Sequence, residues 1–235
     1  MNVTRASNLM MPRPSGACMQ QLRTSMKAFA GSGHPLSDCL SEESWPGRQA
    51  VHCIYSVGFQ HLKDLKDLNS VEKPLAWRFI AGGHKKMKTA AACWSTHESS
   101  GRAKLVCALQ APEMAEILAN AELLNNLSEL SDHSSHQYEL RVLRIPALYL
   151  EAFWLKSQST QTPDWIVPYG LVPDGSDSIK LGAGIRLIKN KAYGVSDFLE
   201  IIRNAAHQKS ARAKVALTRR KQAGRTQAKQ APSHS

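Results

Sequence analysis

Eight cations and no acid between positions 209 and 229 make the strongest chemical statement in this sequence: Lys209, Arg212, Lys214, Arg219, Arg220, Lys221, Arg225 and Lys229. Side chains of this type neutralise phosphates and release the counterions condensed on a polyanion, so the chemistry they serve is binding rather than bond breaking. The chain of 235 residues holds 30 Lys/Arg and 19 Asp/Glu, and setting those eight aside leaves 22 Lys/Arg against the same 19 acids. Most of the formal charge of +11 therefore sits in the tail. The nucleic-acid-binding candidates are Arg212, Lys214, Arg219, Arg220, Lys221, Arg225 and Lys229, densest from Arg219 to Arg225. If about six of them engaged a duplex, log K would fall by about 5 per decade of salt, at about 0.9 per phosphate. No aromatic residue lies between Ser210 and Ser235, so base stacking cannot come from this segment. Its Ala, Gln, Lys and Arg favour helix, and we expect a segment without order in isolation that can take up helix on a surface.

Elsewhere the reactive residue types do not assemble into a catalytic pattern. Cys93 and His97 suggest a thiol and its base, but four residues along one strand separate their Cα atoms by about 13 Å, too far for a hydrogen bond. Glu151 has the most apolar neighbourhood of any carboxylate, and burial would raise its pKa toward that of a general acid. The competing reading, which we favour, is an ion pair with Arg141 or Arg144, or simple exposure at an edge. His133 and His136 lie in a polar stretch beside Asp132 without metal-ligand spacing. Gly182-Ala183-Gly184 lacks the third glycine of a dinucleotide loop and reads as a turn, and Gly82-Gly83-His84-Lys85-Lys86 lacks the Walker pattern. Trp77, Trp94, Trp154 and Trp165 read as core residues unless one is exposed beside Arg78, Lys85 or Lys86 as a stacking platform. No catalytic residue, cofactor or metal site is expected.

The elements that would position these residues follow from periodicity. Residues 1–49 are rich in Ser, Gly, Pro and Met and are expected to be mostly irregular, apart from a short helix near Met19–Phe29. Arg13, Pro12 and Pro14 do not fit a transit peptide or the apolar core of a signal sequence. From Ala50 onward, Val51, Cys53, Tyr55 and Val57 alternate as a strand, and Phe59, Leu62, Leu65 and Leu68 recur as helical turns. Leu75–Ile80 is a strand between Pro74 and Gly82, and Lys88–His97 with Arg102–Gln110 read as a hairpin. A hairpin centred near Ser100 places Cys93 opposite Cys107.

Pro112 opens a helix to about Leu130, with Met114, Ile117, Leu118, Ala121 and Leu124 on one face. Tyr138–Ile145 alternates as a strand, whereas Ala147–Leu155 is apolar on both faces and suits a central strand, with a helix beginning at Pro146 as the competing reading. Trp165–Tyr169 is a further strand, and Ser196 can cap a last helix whose stripe, Phe198, Ile201, Ile202 and Ala205, stops at Lys209.

The expected fold class is α+β. A mostly antiparallel sheet of about five to six strands packs with two main helices (about 112–130 and 196–208), and an irregular N-terminal region (1–49) and a basic tail (209–235) flank one domain (50–208). Five scattered cysteines without C-x-x-C fit a reducing, cytoplasmic setting, and no run reaches the roughly 18 to 20 apolar residues that span a bilayer. The function expected is that of a non-enzymatic accessory protein, tethered by its tail to nucleic acid or a ribonucleoprotein, whose globular part binds a protein or acts as a scaffold. The alternative is a small soluble enzyme or secreted effector in which the tail is incidental.

Overall fold

In the computed structural model the apolar alternation builds one mixed sheet with a long C-terminal helix against it. The structure describes residues 9–10, 12–16, 19, 20, 24, 27, 51–71, 74–81, 90–97, 102–110, 137–169 and 176–229, with 51, 79–81, 90–97, 102–110 and 220–229 described through the backbone alone. In chain order the elements are β1 (Leu9–Met10), β2 (Val51–Ser56), α1 (Phe59–Leu62), β3 (Ala76–Ala81), β4 (Ala90–His97), β5 (Arg102–Gln110) and β6 (Tyr138–Ile145). After a 3-10 turn (Pro146–Leu148) come β7 (Leu150–Ser157), β8 (Trp165–Pro168), β9 (Ser178–Lys180), β10 (Arg186–Ile188), β11 (Tyr193–Gly194) and α2 (Val195–Lys229). The main sheet runs β11-β8-β7-β6-β2-β3-β4-β5, with β1 beside β6, and β9 pairs with β10 separately. Its pairs are antiparallel except where β6 meets β2 and β1. The α+β class with a mostly antiparallel sheet stands, with more strands than the five to six expected.

Register sorts the side chains onto two faces, because successive residues of a strand point to opposite sides. Cys53 pairs with Arg141 and Trp77, and Leu143 with Ala152, so these positions share the face that receives α2. There Tyr55, Leu143, Ile145, Ala152, Trp154 and Ile166 form one core with Phe198, Leu199, Ile202, Ala205 and Ala206. Full burial of Phe198, Leu199 and Ile202 contributes about 2 kcal/mol each and holds the first turns of α2 to the sheet. Leu62, Leu65 and Leu68 join the same core, although the helix expected from their spacing ends at Leu62 and the last two lie in the irregular segment after it. The other face carries Ile54, Val142, Phe153, Leu155 and Val167, all buried. Strand β7 is therefore covered on both sides, which is why its sequence is apolar throughout.

Cys93 stands opposite Cys107 in the β4–β5 hairpin, with a register shift just after Cys93. Gly182-Ala183-Gly184 forms the β9–β10 connection, where Gly184 takes a φ of 77° that suits glycine. The competing helix at Pro146 is only the three-residue turn, closed by Tyr149 in the left-handed region at φ 51°. That conformation costs a residue with a Cβ roughly 1–2 kcal/mol. Tyr149→Gly should consequently be more stable than Tyr149→Ala by about 1 kcal/mol in urea denaturation, since both lose the ring and only glycine escapes the clash. Equal stabilities would show that the turn relaxes.

Two expectations about the ends change. The last helix begins at Val195, so Ser196 lies in its first turn, and it does not stop near Gln208 but continues for 35 residues to Lys229. Among the described residues burial ends where the stripe ends: Ala206 is the last buried one and positions 211–219 are all exposed. Positions 211–219 are thus helix without burial, where the sequence suggests a tail without order. A docked helix supplies the costly nucleus, and Ala, Lys, Arg and Gln then propagate it into solvent. In the N-terminal region Leu9 and Met10 pair with Tyr138 and Glu139. The expected helix at 112–130, the loop with His133 and His136, and Gly82–Lys86 lie outside the described residues.

Candidate functional site

The candidate nucleic-acid interface is the second half of α2, and three contacts set where it leaves the body. Lys209 Nζ donates to the Ala147 carbonyl and lies 5.1 Å from the centre of the Tyr149 ring. On the other side Lys63 Nζ donates to Ser210 Oγ at 2.8 Å. From Ala211 to Arg219 nothing is buried, and Arg212, Lys214 and Arg219 point their charge into solvent. Arg220, Lys221, Arg225 and Lys229 follow on the same helix. At 1.5 Å per residue, positions 211–229 form a rod about 28 Å long. All seven candidate positions therefore lie on one continuous helix, while Lys209 is held by the body.

Their angular distribution adds what charge counting misses. At about 100° per residue, Lys214, Lys221, Arg225 and Lys229 fall in one band, Arg212, Arg219 and Arg220 in another, and the bands lie roughly 180° apart. Within the first band Lys221, Arg225 and Lys229 follow at i, i+4 spacing, an arrangement of like charges that destabilises a free helix by about 0.2–0.5 kcal/mol per pair. A polyanion relieves that repulsion. The exposed Val215 and Leu217 are about 160° apart on the same geometry, so these two do not share one face.

A second constellation is buried on the sheet face opposite α2. Glu151, 1% exposed, accepts from Arg78 Nη2 at 2.8 Å and from Tyr169 Oη at 2.7 Å. Arg78 Nη1 also donates to Tyr169 Oη at 3.2 Å. Arg144 Nε stands 3.4 Å from the same carboxylate as an ion pair without hydrogen-bond geometry, and its own side chain reaches solvent. Burial, and then the Glu151 charge, push the Tyr169 hydroxyl well above its ordinary pKa, so it stays a donor. The ion-pair reading of Glu151 stands, and its Arg144 partner was legible in the sequence. Arg141 instead pairs with Glu139 at 2.7 Å on the other face, with its guanidinium 4.8 Å from the Tyr55 ring centre and 4.9 Å from that of Trp154. Arg78 and Tyr169 carried no sequence signal, because an arginine or tyrosine in an apolar strand does not announce a partner several strands away.

His52 is adjacent to this cluster, in register with Arg78 and edge-on to Phe153. It is fully buried, and among the described residues neither ring nitrogen has a hydrogen-bond partner. Desolvation, and then the Arg78 charge, lower its pKa to about 3. Between the unfolded value of 6.5 and about 3 the unfolded chain binds a proton here that the folded chain does not, so stability falls as pH drops below 6.5. His52→Leu removes that term together with two unsatisfied polar atoms. Its stability relative to the parent should rise by about 2 kcal/mol between pH 7.5 and pH 5 in urea denaturation. A pH-independent difference would contradict a neutral, buried His52.

Among the described residues no group of three or more His, Cys, Asp and Glu is placed to hold a metal ion. A cleft of about 520 Å³ brings Ser56, His61, Asp64 and Ser70 together. No hydrogen bond joins the His61 and Asp64 side chains, so a base with its orienting partner is not assembled there. A groove of about 550 Å³ is lined by Asn69, Lys156, Asp164 and Asp197, and Lys156 is bonded within it to Asn69 at 2.7 Å and Asp164 at 3.2 Å. Neither cavity reaches Glu151. Trp154 is buried under Arg141 and Tyr55, and Arg78 is buried, so neither serves an exposed stacking platform. No described helix is long and apolar enough to cross a membrane. Protein-family models, curated proteins and solved structures give no match to this chain.

Proposed function

We propose that this chain is a non-enzymatic accessory protein of nucleic acid or a ribonucleoprotein, which binds phosphates through the C-terminal half of α2 and uses the sheet as the mount for that helix. One observation carries the reading: a single helix is anchored by Phe198, Leu199 and Ile202 in the core and then runs on with exposed Arg212, Lys214 and Arg219 and no acid as far as Lys229. Anchoring matters because a helix fixed at one end presents its cations without the ordering cost that a loose tail meets on binding. Phosphate contacts of this kind are largely blind to base sequence. A cytoplasmic setting, suggested by the scattered cysteines, and a protein partner for the body belong to the same proposal.

Gel retardation on a mixed-sequence nucleic acid tests it, comparing the full chain with a version ending at Ser210, which is bonded to Lys63 of the body. The shortened chain should lose retardation while keeping its fold. Retardation of both chains at the same concentration would remove the proposal.

A further inference from the structure

We infer that the polyanion this helix fits is double-stranded DNA, entered through the major groove with cations directed at both backbones. The inference rests on the nucleic-acid reading above and narrows it to one ligand class. A helix lying on the outside of a polyanion, or on an anionic membrane, needs charge on one side only. Here Lys214, Lys221, Arg225 and Lys229 occupy one flank and Arg212, Arg219 and Arg220 the other, roughly 180° apart by helical geometry. Anions on both sides at once are what a groove between two phosphate strands provides.

Dimensions select the groove. An α-helix with its side chains is about 10–12 Å across, which matches a B-DNA major groove about 12 Å wide and not a minor groove about 6 Å wide. The deep, narrow major groove of A-form RNA does not admit side chains in the same way. Single strands are bound by basic grooves combined with aromatic platforms. No Phe, Tyr or Trp follows Phe198, which is itself buried in the core. Between the two cationic flanks one strip holds Ala213, Leu217, Gly224 and Ala228, mostly small residues that allow close approach to a groove floor and offer no donor fork for a particular base. Occupancy of the groove is therefore expected without strong sequence choice.

The test uses the full chain and a labelled 20-base-pair DNA duplex, each of its separated strands, and an RNA duplex of the same sequence, in fluorescence anisotropy at fixed salt. The duplex DNA should bind at least about tenfold more tightly than either strand or the RNA, and guanine N7, a major-groove atom, should be protected from methylation. Two triple variants, Lys214→Gln/Lys221→Gln/Arg225→Gln and Arg212→Gln/Arg219→Gln/Arg220→Gln, should each reduce the salt slope by about 2.7, at about 0.9 per phosphate. Equal or tighter binding of a single strand or of RNA would overturn the groove assignment, as would an effect confined to one flank. If those results came with binding that still disappears in the chain ending at Ser210, the groove alone would be wrong and the nucleic-acid reading would survive. Unchanged binding in the shortened chain would remove both.

Discussion

Glu151→Ala should destabilise the fold by about 3–5 kcal/mol, the usual cost of removing one partner from a buried ion pair. The loss is not the strength of one bond. It leaves Arg78, 4% exposed, as a guanidinium without its carboxylate, and a guanidinium does not shed its proton to escape. Tyr169 Oη loses its acceptor in the same step. Arg78→Ala should cost less, because Glu151 keeps Tyr169 and the nearby Arg144, and a carboxyl can take up a proton. The double variant Arg78→Met/Glu151→Leu should likewise lose less than Glu151→Ala alone, since no buried charge then loses its counter-ion. Urea midpoints rank the three, and a Glu151→Ala loss under about 1 kcal/mol would contradict the described burial.

Leu217→Pro should abolish the preference for duplex over single strand while leaving every cation in place. Proline removes one backbone donor and clashes with the carbonyl four residues earlier, at a cost of about 3 kcal/mol in a helix interior. Leu217 is 57% exposed, so burial does little to offset that cost. Roughly a dozen residues beyond it should leave the helical signal in circular dichroism, with the urea midpoint of the body unchanged. The charge then remains as a loose tail, and its affinity for the duplex should fall to that for a single strand. A retained duplex preference in a chain that has lost this helix would show that charge alone accounts for binding.

Much of the sheet was legible because one residue in two is buried and nothing else fits the alternation. Tyr138–Ile145 is read correctly down to Arg141 and Glu139 sharing a face, and the symmetry of the hairpin about Ser100 gives the Cys93–Cys107 pairing. Strand β7 was visible as a central strand through its unbroken apolar run. Long-range partners were not. Arg78 on β3 meets Glu151 on β7 across β2 and β6, about 14 Å of sheet at about 4.8 Å per strand, and no local pattern encodes a contact over that distance. The extent of α2 was missed for a different reason. A stripe that stops at Lys209 marks the end of burial, but a helix ends only where propensity or a breaker ends it, and Ala211–Arg220 contains neither Gly nor Pro. For the candidate interface, the residue types suggest a polyanion, while the two flanks emerged only once the segment was known to be helical.

The salt dependence of binding is the most direct measurement of the central claim. Affinity of the full chain for duplex DNA, measured from 50 to 200 mM salt, should fall along a log-log slope near −5, about a thousandfold over that range, if about six of the seven cations beyond Ser210 meet phosphates. The chain ending at Ser210 should show no binding with that slope. A slope near zero, or the same slope in both chains, would contradict a phosphate interface on the C-terminal half of α2.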